Sequence, residues 1–283
     1  MPPPHREWLR QLVGALQEGC AALERVLDDW PESDAEEGRS EVRRDAQHVI
    51  SLFDYTTLAL QPWKRRGYEV HAYDLRHPPG HTITASGLHL WGVDLTNEAT
   101  LREIGERHAG KAAFAWGFPE CTDLSRAGAN SWQRKAAINP DFQTEAAHNV
   151  RKVDAMLSIL GCPYCLENPS SSALRSLWRP PDHTFEPCWY GGYLALDDVH
   201  PLYPAHVPSR DAYTKRTGLW VGGGFSHLPP QRRVDAQWKV WEDHNGKRRR
   251  ISPPMFSGSH EARMARQATP RGFAEALCQH YAR

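Results

Sequence analysis

The chain has 283 residues, enough for one large folded body or one body with a small appendage. Its 34 basic residues balance 34 acidic ones, so bulk charge announces no nucleic-acid or membrane partner, and any such partner must be argued from local patches. No apolar run is long enough to span a bilayer, Met1 to Arg6 lack an apolar signal core, and the six cysteines are scattered; free thiols in a reducing, cytoplasmic setting are expected.

Leu9, Leu12, Val13, Leu16, Leu23, Val26 and Leu27 fall on one stripe at helical spacing, which predicts an amphipathic helix over 7–30. An acidic linker from Glu32 to Glu37 follows, so 1–46 reads as an appendage that packs on the body or on a second copy of the chain. From 47 onward the pattern alternates. His48 to Phe53 predicts a strand, 58–66 a helix, and Tyr68 to Tyr73 a strand ending in Asp74. Trp91 to Val93 reads as a strand ending in Asp94, and Thr96 is expected to cap a helix running to His108. Ala112 to Phe118 predicts a strand, Gln143 to Leu160 a long helix, and Cys162 to Leu166 another strand. The alternation predicts an α/β fold, a parallel sheet with helices on both faces. Thr217 to Val221 resembles one more strand, 223–262 is polar and irregular, and a last helix runs from Gly272 to His280. The expected division is therefore 1–46 appendage, 47–222 body, 223–262 small recognition region and 263–283 a closing helix.

Ligands of such sheets sit at the carboxyl ends of the strands. Asp54, Asp74, Asp94, Cys121 and Glu167 are expected just past strand ends, on one rim. A carboxylate at Asp74 suits the hydroxyls of a ribose, Asp94 suits an adenine amino group, and Phe53 would pack on the adenine ring. Cys121 stands in a polar turn after an apolar run, and Glu167 follows another such run. A thiolate and an acid so placed can act together on a pyrimidine ring, one adding to carbon while the other protonates nitrogen. The competing readings are a structural thiol for Cys121 and a turn cap for Glu167. The polar neighbours Glu120, Thr122, Asp123 and Ser125 favour a reactive thiol. Cys162-Pro-Tyr-Cys165 has metal-ligand spacing, with Cys188, His183 or His200 as possible further ligands. Strand alternation points the first two to opposite faces, however. The fifteen histidines show no tight H-x-x-x-H cluster and read mostly as surface residues, so no metal is expected.

The ordered set Leu52 to Thr57, Ala72-Tyr-Asp74, Gly92-Val-Asp94, Pro119-Glu-Cys-Thr-Asp-Leu-Ser125 and Glu167-Asn-Pro169 resembles the cytosine-5 DNA methyltransferase family. The likeness is greatest to its short bacteriophage-type members, which Tyr213 to Trp220 and Ala268 to Ala274 also resemble. It covers roughly 47–282. The resemblance implies a class I methyltransferase (Rossmann-like) fold, S-adenosylmethionine as donor and a cytosine flipped out of double-stranded DNA. Carried over, Cys121 would attack C6, Glu167 would assist at N3, and Arg216 would hold the base. Phe53, Asp54, Thr57, Asp74, Asp94 and Pro119 would line the donor site. Arg126 or Arg216 would lower the Cys121 pKa. DNA contacts would come from Ser125, Arg126, Arg134 and Lys135 near the cysteine loop, and from Arg232, Arg233, Lys247, Arg248 and Arg249 in the recognition region.

This sequence departs from the family pattern at four places. The loop after the first strand has no glycine, Glu120 separates Pro119 from Cys121, Gly218 replaces a second arginine, and Thr269-Pro-Arg271 replaces a helix-start asparagine. Arg271, or Lys64 to Arg66, would suit a donor with an extra carboxylate, such as carboxy-S-adenosylmethionine, because a fixed cation offsets a buried anion's desolvation. A non-catalytic DNA-binding relative and an enzyme of free pyrimidine nucleotides are the other classes left open.

Overall fold

The computed structural model describes residues 47–282, so the amphipathic stretch predicted over 7–30 lies outside the described residues. Eight strands form one sheet: β1 (His48–Leu52), β2 (Glu69–Tyr73), β3 (Gly80–Ile83), β4 (His89–Gly92), β5 (Ala112–Gly117), β6 (Tyr164–Pro169), β7 (His183–Phe185) and β8 (Thr217–Gly222). Their order is β3-β4-β2-β1-β5-β6-β8-β7. β4, β2, β1, β5 and β6 run parallel, whereas β8 is antiparallel to both β6 and β7, and β3 is antiparallel to β4. The protein is thus an α/β fold with a mostly parallel sheet.

Seven helices accompany it: α1 (Gln61–Arg65), α2 (Glu98–His108), α3 (Ala129–Ile138), α4 (Phe142–Ser158), α5 (Leu174–Leu177), α6 (His260–Gln267) and α7 (Arg271–Tyr281). They cover both faces of the sheet and create two cores. On one face Phe114, Trp116 and Val49 meet Trp63 of α1 and Phe273 and Leu277 of α7. On the other, Ala115 and Ile50 meet Leu101 and Ile104 of α2 and Val150 and Val153 of α4. Burial on both sides is why the central strands read as unbroken apolar runs.

Three sequence expectations change. The N-cap of α2 is Asn97, whose side chain accepts from the Ala99 amide at 2.9 Å; Thr96 instead donates to Asp94 from its amide at 2.9 Å and its hydroxyl at 2.8 Å. The stretch 223–262 is not irregular throughout. It contains an antiparallel hairpin of β9 (Lys239–Glu242) and β10 (Arg248–Ile251), turned by Gly246 at φ 71°, and the start of α6. Short β3, α3, α5 and β7 were not legible as elements. Among the described residues, no helix is long and apolar enough to cross a membrane.

Candidate functional site

The order of the parallel strands reverses between β1 and β5, because β2 and β4 extend one way from β1 while β5 and β6 extend the other. The loops leaving the carboxyl ends of β1 and β5 therefore part, and open a crevice. The loop after β1 does without glycine by placing Phe53 (φ 59°) and Thr57 (φ 58°) in the left-handed region. For residues with a side chain this costs on the order of 1–3 kcal/mol each. Asp54 holds the loop in that shape, accepting from the Ser51 hydroxyl at 2.8 Å, the Thr56 hydroxyl at 3.1 Å and the Thr57 amide at 2.8 Å. Burial nonetheless raises its carboxyl to about 6. Asp54 and Thr57 are thus buried loop braces, the Thr57 hydroxyl accepting from Gln61 at 3.2 Å; Phe53 is half-buried at the rim.

Asp74 follows β2 directly and is clamped by Arg76, which donates to it from its amide, Nε and Nη2, each at 2.9 Å. The same guanidinium lies 4.5 Å above the Tyr55 ring, so the first two loops are joined. Asp94 is exposed after β4 and takes both Thr96 bonds on Oδ1, which leaves Oδ2 open.

After β5 the chain passes buried Pro119 and turns at Cys121, whose carbonyl accepts from the Leu124 amide at 3.0 Å and the Ser125 amide at 2.8 Å. The turn is pinned by Gln143 of α4, which donates to the Asp123 carbonyl at 2.8 Å, and by Trp132 of α3, which donates to the Thr122 carbonyl at 3.3 Å. Gly128 permits this packing, since a Cβ there would stand 1.8 Å from the Thr122 carbonyl oxygen. Lys135, an expected DNA contact, forms an ion pair with Asp123 that braces the loop. Arg126 and Arg134 are exposed.

Glu167 is not past a strand end but inside β6, opposite Leu219 of β8. Asn168, its neighbour, donates from Nδ2 to the Pro119 carbonyl at 3.0 Å and so joins β6 to the cysteine turn. The Cys121 thiol is pushed up by burial and then by the nearby Glu167 carboxylate; Ser125 and Lys215 pull it partly back. Lys215 Nζ stands 3.5 Å from Glu167 Oε1, both side chains being largely buried. The cation beside the acid is therefore Lys215. Arg216, expected to hold the base and to lower the Cys121 pKa, is exposed and acts on Glu186. Lys215 was missed because two adjacent cations precede β8, and only the strand register tells which one turns inward. Gly218 stands where a second arginine was expected, and a Cβ there would already meet the Ser170 Cα at 3.2 Å.

Among the described residues, two buried polar atoms of this region have no hydrogen-bond partner: Glu167 Oε1 and Asn168 Oδ1. Buried polar atoms are normally satisfied, so Glu167 Oε1, whose near partner is the Lys215 ammonium at 3.5 Å, keeps capacity to accept from a polar ligand. Ser125 is buried beside the thiol rather than on an open surface.

Arg271 is a further correction. Its guanidinium is buried and held by Asp198 at 2.6 Å and Asp211 at 3.5 Å, so no free charge remains for a ligand. Asp211 also accepts from the Gly272 amide at 2.9 Å and caps α7 in place of the missing asparagine. Arg65 pairs with Glu275 of α7, and α1 carries 64–66 away from the rim.

The remaining cations lie elsewhere. Arg232 stacks over Tyr193 at 4.3 Å and Arg233 over Trp189 at 4.8 Å. Lys247 and Arg248 project from the exposed hairpin, Arg249 pairs with Asp243 at 2.8 Å, and Arg250 lies 4.6 Å over Trp238. Cys162 and Cys165 fall in different cores, one on each face of the sheet, and cannot share an ion. No protein-family model matches the chain, and no curated protein is significantly similar to it.

Proposed function

We propose that this protein is a class I methyltransferase that modifies cytosine at C5 in double-stranded DNA, with Cys121 as nucleophile and Glu167 as acid. The observation that carries the reading is the joint built around Asn168 and Pro119. It brings a half-buried thiol and a nearly buried carboxylate together at the carboxyl rim, with Glu167 Oε1 still free to accept a hydrogen bond. A flipped pyrimidine offers the complementary donors and acceptors.

The chemistry follows from the electrostatics. A thiol raised by burial and by a neighbouring carboxylate is protonated at rest. Passing that proton to Glu167 gives a thiolate and a carboxylic acid, the pair the reaction needs. The thiolate adds to C6 of the ring, and Glu167 delivers its proton to N3, which takes up the displaced electron pair. Lys215 steadies Glu167 when its negative charge returns. After transfer, N3 returns its proton to the Glu167 carboxylate and the C5 proton is lost to solvent water, which restores the C5–C6 double bond and expels the Cys121 thiolate.

S-adenosylmethionine would supply an electrophilic methyl group. The crevice between the β1 and β5 loops fits its nucleoside: Asp94 keeps Oδ2 open for an amino group, and Phe53 offers a half-buried ring. Asp74 would meet ribose hydroxyls while still bound to Arg76. The ion pairs of Arg271 with Asp198 and Asp211 favour the ordinary donor over a carboxylated one. Lys247 and Arg248, with exposed Trp238 and Trp241 on the same hairpin, supply the phosphate contacts and stacking surfaces that a DNA partner would use.

The test is mass analysis of nucleosides from duplex DNA incubated with the protein and S-adenosylmethionine. A gain of one methylene on deoxycytidine supports the reading. Cys121→Ala is expected to abolish both product and covalent trapping on 5-fluorocytosine DNA, and Glu167→Gln to slow turnover by roughly 10²-fold. Full activity in Cys121→Ala would refute the mechanism.

A further inference from the structure

At the opposite, amino-terminal edge of the sheet the fold gathers a histidine cluster that local sequence spacing conceals. His48 opens β1, Glu69 opens β2, and the register pairs them; His71 of β2 likewise pairs with His89, which opens β4. Directly paired residues, and residues two apart on a strand, share a face of the sheet. All four side chains therefore converge on one face. His71 Nε2 lies 2.9 Å from Glu69 Oε1, His89 Nε2 lies 3.9 Å from the same oxygen, and His48 Nε2 lies 3.7 Å from Glu69 Oε2. Glu69, His71 and His89 offer ligand atoms all within 4.8 Å of one another. Tetrahedral donors about 2.1 Å from a zinc ion stand about 3.4 Å apart, within the range of these separations.

We propose that Glu69, His71 and His89 bind one zinc ion that clamps β2 and β4, with water in the fourth position. The surrounding hydrogen bonds suit that set. Beside the site, His48 Nδ1 and His108 Nδ1 share a hydrogen bond at 2.8 Å, and His108 Nε2 bonds the Tyr73 hydroxyl at 2.7 Å, so the flanking rings are held in place. With His89 Nε2 as ligand, its Nδ1 donates to His81 at 3.1 Å. Such outer bonds fix the ring tautomer of a metal ligand.

One bond must change. Trp91 Nε1 donates to His71 Nδ1 at 3.2 Å, which leaves the ring proton on Nε2, facing Glu69. Metal binding at Nε2 moves that proton to Nδ1 and displaces the Trp91 indole, so Trp91 emission reports occupancy. The site stands on the sheet end away from Cys121, and its role is structural. It is independent of the proposed methyl transfer.

The experiment strips the full chain with EDTA and titrates it with zinc chloride against a chromophoric chelator, with metal content read by mass spectrometry. The expected result is one zinc per chain, a change in tryptophan emission that Trp91→Phe removes, and at least about tenfold weaker binding in Glu69→Gln and His89→Ala. Cys162→Ser should bind normally. X-ray absorption on the unmodified protein gives a readout that needs no variant: only nitrogen and oxygen ligands at about 2.0–2.1 Å are expected. Failure to retain zinc against the chelator, a sulfur ligand at about 2.3 Å, or unchanged affinity in both folded variants overturns the proposal.

Discussion

Asn168 Nδ2 donates to the carbonyl oxygen of Pro119 across 3.0 Å, and this bond unites two segments separated by 49 positions in the chain. One segment carries the thiol, the other the acid. Their relative position is therefore set by a buried side-chain bond as well as by the β5–β6 ladder, in which Gly117 pairs with Leu166.

Asn168→Ala should uncouple the two. The buried Pro119 carbonyl would lose its donor, at a cost of about 1–3 kcal/mol. For a body of this size that lowers Tm by about 2–4 °C per kcal/mol. The cysteine turn should loosen far more than the whole, seen as faster hydrogen exchange at the Ser125 amide and at least about tenfold slower turnover. Unchanged exchange in Asn168→Ala would show that the turn does not depend on this bond.

The thiol should respond in opposite directions to its two charged neighbours. Glu167 raises it and Lys215 lowers it. Glu167→Gln should thus shift the pH profile of Cys121 alkylation downward, and Lys215→Ala should shift it upward, although both variants lose turnover. Iodoacetamide kinetics followed by peptide mass measure the two midpoints.

Asp54 makes stability depend on pH. Its folded value of about 6 lies above the unfolded value of 3.8, so the folded state holds the proton longer. The resulting stabilisation is full below pH 3.8 and is lost as pH rises through 6, by up to about 3 kcal/mol. Asp54→Asn keeps the shape and lacks the titration. Urea unfolding at pH 4 and pH 7 should show the unmodified protein losing ground to the variant at the higher pH.

Arg271→Ala should leave Asp198 and Asp211 without their buried counter-ion and destabilise the fold by about 3–5 kcal/mol. Arg271→Lys should recover part of that loss. Chemical denaturation of both variants measures the difference, and the mass of any transferred group should be the same in all three proteins.

Much of the fold was legible because burial on both faces leaves long apolar runs, as in Ala112 to Gly117, and because helices such as α4 repeat Ala147, Val150 and Val153 at helical spacing. Cys121 stands out in the sequence by residue type and by its place after an apolar run, whereas Glu167 lies inside β6, where no run ends. What local spacing could not convey was direction and pairing. Lys215 and Arg216 are adjacent, yet one turns to Glu167 and the other to solvent. Arg271 looked available for an anion until Asp198 and Asp211, from distant loops, took its charge. His48, His71 and His89 are far apart in sequence, and only the strand register makes them neighbours. The short β3 and β7 carry too few residues for an alternating pattern to be seen.

β6 is held by parallel β5 on one side and antiparallel β8 on the other, so Glu167 is fixed from both flanks. The chain between β5 and β6, which includes α3 and α4, lies outside that lock. Its connection at Asn139 to Asp141 is where the two helices part, and Pro140 there is exposed. Residues inserted at this junction would lengthen a surface excursion without moving the acid, because a strand paired on both edges does not slip when a remote loop grows. The same junction is thus a natural place to open the chain or to graft a second module while Glu167 stays in register.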